Sequence, residues 1–142
     1  MGEIKKMTVD HVSGYAFAAI GTANHYVMID SNSDERPAGA QGPMELLLSA
    51  LGSCAGSDIV DIMRKKRQAV RKFSIQLSGE RAEDHPRVYT AIHMKFIFYG
   101  KGIEMAAAER AVELSLTKYC SVNGMLSKVV KITHDCEIHE VE

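Results

Sequence analysis

The chain has 142 residues, 46% of them hydrophobic and 25% charged, with no Trp, three Cys and a net charge of −1. That length suits one compact domain over 1–142, and the near-zero charge excludes nucleic-acid binding that relies on a broad basic field. No run of 18 apolar residues occurs, the opening MGEIKKMTVDHVSG lacks the apolar stretch of a signal peptide, and three scattered cysteines exclude a secreted disulfide framework, so a cytoplasmic location is expected.

β-Favouring residues fill the first thirty positions: Ile4, Met7 and Val9 ahead of a Ser13-Gly14 turn, then 15–20, then 26–29. Three short antiparallel strands are expected. The segment SNSDERPAGAQG, rich in Gly, Ala and Ser, reads as a surface loop. Pro43 then opens the strongest helical pattern, because Pro is tolerated in a first turn. Met44, Leu47, Leu48, Leu51, Ala55, Ile59 and Ile62 recur at steps of 3 or 4, while Leu46, Ala50 and Cys54 widen the stripe. This predicts a long central helix buried on more than one side, ending at Arg64, Lys65, Lys66 and Arg67, where positive charge suits the helix C-terminus. Two long strands follow at 72–78 and 87–99, the second with Val88, Thr90, Ile92, Met94, Phe96 and Phe98 on one face, joined by a turn at 83–86. Gly102 precedes an amphipathic run over 103–119, a third helix is expected over 121–129, and 131–141 closes as a strand. The order βββ-α-ββ-α-α-β is that of an α+β chain with antiparallel sheets.

Two cysteines lie beside helices. Cys54 is flanked by Gly52, Ser53, Ala55 and Gly56, small residues that admit a backbone or ligand closely. Cys120, in LTKYCSVNG, falls at a junction where the next helix N-terminus would lower its pKa. Both also suit small core positions, since free Cys is among the most buried residue types. The basic run RKKRQAVRK reads as a solvated helix end, and no glycine pattern fits a phosphate-binding loop. His134 and Cys136 share a strand face that His139 does not, so these residues do not form a zinc site, and no cofactor or metal is expected. Cys136 reads as a strand residue packed against the sheet.

The segment from Pro43 to Cys54, with Glu45 and the Ala50-Leu51-Gly52-Ser53 run, resembles the first signature of the OsmC/Ohr family, and Tyr119-Cys120-Ser121-Val122 is similar to its second. SGERAEDHPR, KYCSVNGML and KITH resemble most the YhfA-like branch. The resemblance covers essentially the whole chain as a single OsmC-like domain. It implies an intertwined homodimer around the buried central helix, with a Cys pair at each of two interface sites. It also implies reduction of organic hydroperoxides, Cys54 attacking the peroxide and Cys120 resolving the product as a disulfide, with a dithiol or lipoyl-type reductant restoring the pair. In peroxidase branches a Glu directly after the Pro pairs with an Arg of the N-terminal hairpin. Here Met44 stands directly after Pro43, with Glu45 one position on, and Arg36 in the preceding loop is the nearest substitute for the Arg. The alternative is a non-catalytic dimer of the same fold that binds a small hydrophobic or thiol-reactive ligand.

Overall fold

A computed structural model describes residues 2–142. The elements run β1 (Met7–Ser13), β2 (Ala16–Gly21), β3 (Tyr26–Ile29), α1 (Pro43–Lys65), β4 (Ala69–Arg81), β5 (Tyr89–Lys101), α2 (Met105–Leu114), a π-helical turn (Ser115–Tyr119), α3 (Ser121–Leu126) and β6 (Lys131–Glu140). The expected order is therefore observed, with longer β4 and shorter α2 and α3. The chain falls into two compact units, one ending at Leu47 and one running Leu48–Glu142.

The first unit is an antiparallel meander, β1-β2-β3. Gly14 occupies the left-handed region at φ 52° between β1 and β2, a conformation glycine adopts without Cβ strain. The loop after β3 folds around Asp30, whose buried carboxylate accepts from Ser31 N at 2.8 Å and Gly39 N at 2.9 Å and pairs with Arg36 at 2.7 Å. The Gly39 N–H, followed by Arg36 and Ser31, holds this carboxyl below its ordinary pKa. Gly42 caps the start of α1. Its carbonyl accepts from Leu46 N at 3.0 Å, and the Glu45 side chain accepts from Gly42 N at 3.0 Å, as a capping Glu does at the third helical position.

The second unit is a three-stranded sheet, β4-β5-β6, with helices packed against it. The expectation of antiparallel sheets holds for β4 on β5 and fails for β6, which pairs with β5 in parallel, Phe96 opposite Cys136. The physical reason is the connection: α2, the π turn and α3 carry the chain back to the same end of the sheet, as a parallel pairing requires. In the central strand, Ile92, Met94, Phe96 and Phe98 are almost completely buried, whereas Val88 and Thr90, expected on the same face, are exposed at the strand's start. Phe73 of β4 stacks on Phe98 with ring centroids 4.7 Å apart. Tyr89 lies across Gly79, where any Cβ would strike its ring at 2.5 Å.

By length and composition α1 could span a bilayer, yet within its own unit it buries a stripe of Leu51, Gly52, Ala55, Gly56, Ile59 and Met63. Gly52 and Gly56 bring its backbone against β4, at Leu77 and Ile75. The second side expected from Leu46, Ala50 and Cys54 is half-buried, and a further face of the helix is open. Ser49, Ser53, Ser57 and Val60 are exposed there, beside a groove of about 620 Å³ walled by Phe73, Ile75 and Leu77. The hydroxyls of Ser53 and Ser57 donate to carbonyls one turn back at 2.8 Å, so this face exposes little unmet polarity.

Candidate active site

Cys54 and Cys120 are 66 positions apart in sequence and adjacent in the second unit. Their thiols are near enough for Cys54 to push the Cys120 pKa upward, and all three cysteines are free. The apolar stripe of α1 sets Cys54 near the middle of that helix, half-buried, one turn before Asp58. Cys120 arrives by a different device. After Leu114 the helix widens into the π turn Ser115–Tyr119, the Cys120 N–H donates to Ser115 O at 2.7 Å, and Cys120 becomes the N-cap of α3. Single π turns of this kind recur at functional sites because the extra residue re-aims the side chains that follow.

Around the two sulfurs the side chains are small or hydrogen-bonded. The Ser115 hydroxyl is fully buried and reaches two acceptors on α1, Ala55 O at 3.1 Å and Asp58 Oδ2 at 2.9 Å. Asn123 braces the junction, its N–H donating to Cys120 Sγ at 3.4 Å and its Nδ2 to Leu116 O at 2.8 Å. Its Oδ1 is buried without a hydrogen-bond partner among the described residues.

The helix N-terminus does not lower the Cys120 pKa as its position alone predicts. Burial pushes the thiol up to about 11 from 9.0, outweighing the Asn123 N–H; the neighbouring Cys54 and the Asp58 charge push it the same way. Each charged group acting on Cys120 is negative. Because the folded pKa lies above the unfolded value, this thiol contributes stability that is fully present below pH 9 and is lost as pH rises toward 11. Thermal melts under reducing conditions across that interval should therefore fall more steeply for the wild type than for Cys120→Ser, and parallel slopes would contradict the assignment.

The other residues singled out from the sequence have local partners. Arg36 is bound to Asp30 and to Pro37 O at 3.2 Å, and Glu45 caps α1. Cys136 on β6 is half-buried, its thiol pushed to about 11 by burial, then by Glu109 and Asp135. His134 packs edge-on against Phe96, and His139 stacks on Tyr99 at 5.0 Å. Sequence reasoning missed Asp58, Ser115 and Asn123. The available signal was Asp58 itself, a carboxylate one turn after Cys54 on the same side of α1.

Comparison with known proteins places the chain. The family model described as OsmC-like protein matches residues 35–135. The chain is 42% identical over 130 residues to Protein YhfA of Escherichia coli (strain K12), covering 92% of this chain and 95% of that one. A hypothetical protein from Aquifex aeolicus VF5 superposes with a TM-score of 0.88 at 33% identity, covering 99% of this chain and all of that one. The organic hydroperoxide resistance protein OhrB of Bacillus subtilis has the same fold at 13% identity, with a TM-score of 0.63 over 95% of this chain and 98% of that one. A match spanning most of the chain, together with a relative of this identity and coverage, settles the assignment: the chain belongs to the OsmC-like family.

Proposed function

We propose that the protein is a cytoplasmic, homodimeric thiol-dependent reductase of organic hydroperoxides, with Cys54 and Cys120 as its redox pair. The observation that carries this reading is the juxtaposition of the two thiols, one on α1 and one at the end of a π turn, near enough for Cys54 to act on Cys120. Neutral Cys120 suits the resolving role, and Cys54, where the small residues leave room, suits the attacking one. The Cys54 thiolate attacks the distal oxygen of ROOH, the O–O bond breaks, and RO⁻ leaves as ROH after taking a proton, so Cys54 is oxidised to sulfenic acid. Cys120 then displaces that hydroxyl as water, forming the Cys54–Cys120 disulfide, which a dithiol reduces by exchange. The resistance role printed for OhrB of Bacillus subtilis supports the substrate class. The open Ser49, Ser53 and Ser57 face of α1 supports a second copy as its cover.

One observation favours the second reading, a dimer that binds a small hydrophobic or thiol-reactive ligand without turnover: Arg36 and Glu45, the residues expected to support the Cys54 thiolate, are held by Asp30 and by the start of α1 instead. One experiment separates the two. Reduced protein, eluting at twice its 15.6 kDa chain mass, is given one equivalent of cumene hydroperoxide and digested without reductant. The reductase reading expects a Cys54–Cys120 crosslink and consumed peroxide, whereas intact thiols with undiminished peroxide support the binding reading. A monomeric elution would remove the dimer.

A further inference from the structure

The Asp58–Ser115 pair lies beside the two sulfurs and has no part in the scheme above. Asp58 follows Cys54 by one turn of α1, so both side chains lie on one side of that helix. Its Oδ2 receives the buried Ser115 hydroxyl at 2.9 Å, and the same Ser115 accepts the Cys120 N–H through its carbonyl at 2.7 Å. Ser115 thus ties the carboxylate of α1 to the backbone that aims Cys120. The Asp58 charge also pushes the Cys120 pKa upward, after burial and Cys54. A carboxylate at this place has two opposite consequences. As a bare charge it disfavours the Cys120 thiolate; as a base it removes the proton that keeps Cys120 unreactive.

We propose that Asp58, held by Ser115, is the proton relay for disulfide closure between Cys54 and Cys120. This rests on the reading of the two cysteines as a redox pair. Once Cys54 is a sulfenic acid, the Cys120 S–H bond breaks and its proton passes to the Asp58 carboxylate. The Cys120 sulfur forms the S–S bond to Cys54, and the Cys54 S–O bond breaks. The departing hydroxide takes the proton from Asp58 and leaves as water, so the carboxylate is restored and no further oxidant or reductant is required. The same relay serves closure from a mixed disulfide: the bond from Cys54 to glutathione breaks, and the leaving glutathione thiolate takes the proton. The relay confines acid–base work to the resolving step and leaves the attack by Cys54 untouched.

Closure is timed in two ways in the full-length protein. In one, reduced protein is mixed with cumene hydroperoxide and the Cys54 sulfenic acid is trapped with dimedone. In the other, Cys54 is loaded with oxidised glutathione and release of glutathione is followed, a route that needs no peroxide chemistry. Asp58→Asn keeps an acceptor for the Ser115 hydroxyl, so the local packing is retained. It should slow closure by about 100-fold by both routes, the lower end of general acid–base effects, so that the sulfenic acid accumulates. Ser115→Ala leaves the carboxylate in place but unheld and should slow closure about tenfold. Closure in Asp58→Asn that equals or exceeds the wild type would overturn the relay, because it would show Asp58 acting only as a charge against the thiolate. Wild-type closure from the glutathione adduct but not with peroxide would remove the hydroperoxide reading, and the relay would stand or fall on the Asp58→Asn ratio by that route. Absence of wild-type closure by either route would overturn both.

Discussion

Cys54→Ser is expected to lose turnover of cumene hydroperoxide with a dithiol by about three orders of magnitude or more, while Cys120→Ser still consumes peroxide stoichiometrically before stalling. Both losses follow from the proposed chemistry. A serine hydroxyl at position 54 cannot attack the O–O bond as a thiolate does and has no sulfur oxidation state to accept its oxygen, so removal of the nucleophile leaves only background reaction. With Cys120 replaced, the first oxidation proceeds, but the sulfenic acid has no thiol beside it. Excess peroxide then carries Cys54 to the sulfinic acid, visible by mass and not restored by dithiols. Cys136 does not substitute, because its thiol is held neutral on β6 and is not among the groups that act on Cys120. Cys136→Ser should keep the wild-type rate. Equal residual activity in Cys54→Ser and Cys120→Ser, or full turnover in either, would contradict the division of roles.

The sequence carries the order of elements because each has its own periodicity: steps of 3 or 4 along α1 and alternation along β5. It does not carry the partner of β6. Alternation in 131–140 says that one face is half-buried, not which strand lies alongside or in which direction. The pairing follows from the two helices between β5 and β6, whose crossover makes the parallel direction available. The two cysteines are legible as a pair only through the resemblance, since a separation of 66 positions fixes no distance. What local pattern missed is the π turn. A helix of 103–119 was expected as one run, and the widening at Ser115 that points Cys120 toward α1 depends on tertiary bonds to Ala55 and Asp58. The same omission produced the wrong sign for Cys120. A helix N-terminus favours the thiolate, but burial at the junction decides the balance.

Gly100→Ala is expected to destabilise the protein by about 3 kcal/mol or more, at the upper end of overpacking effects and a large share of a typical folding free energy. Gly100 sits in the central strand, opposite Val70 on one side and Glu140 on the other. A Cβ there would overlap the Ala69 carbonyl and approach Ile103 Cδ1 to 2.6 Å. Ile103 has a flexible end and can give way, but Ala69 O is backbone at the start of β4. The strand cannot retreat either, because the Gly100 carbonyl accepts from Val141 N at 2.8 Å beyond the end of β6. Relief therefore requires breaking one end of the sheet. Gly124 supplies the opposite case: it lies inside α3, nothing lies within 4 Å of where its Cβ would stand, and its φ is not in the left-handed region. There Ala restricts the unfolded chain and favours the helix, so Gly124→Ala should gain about 0.5 kcal/mol. Denaturant titrations of the two variants should move the midpoint in opposite directions at unchanged slope, and a Gly100→Ala midpoint within error of the wild type would show that the sheet end yields where its hydrogen bonds say it holds.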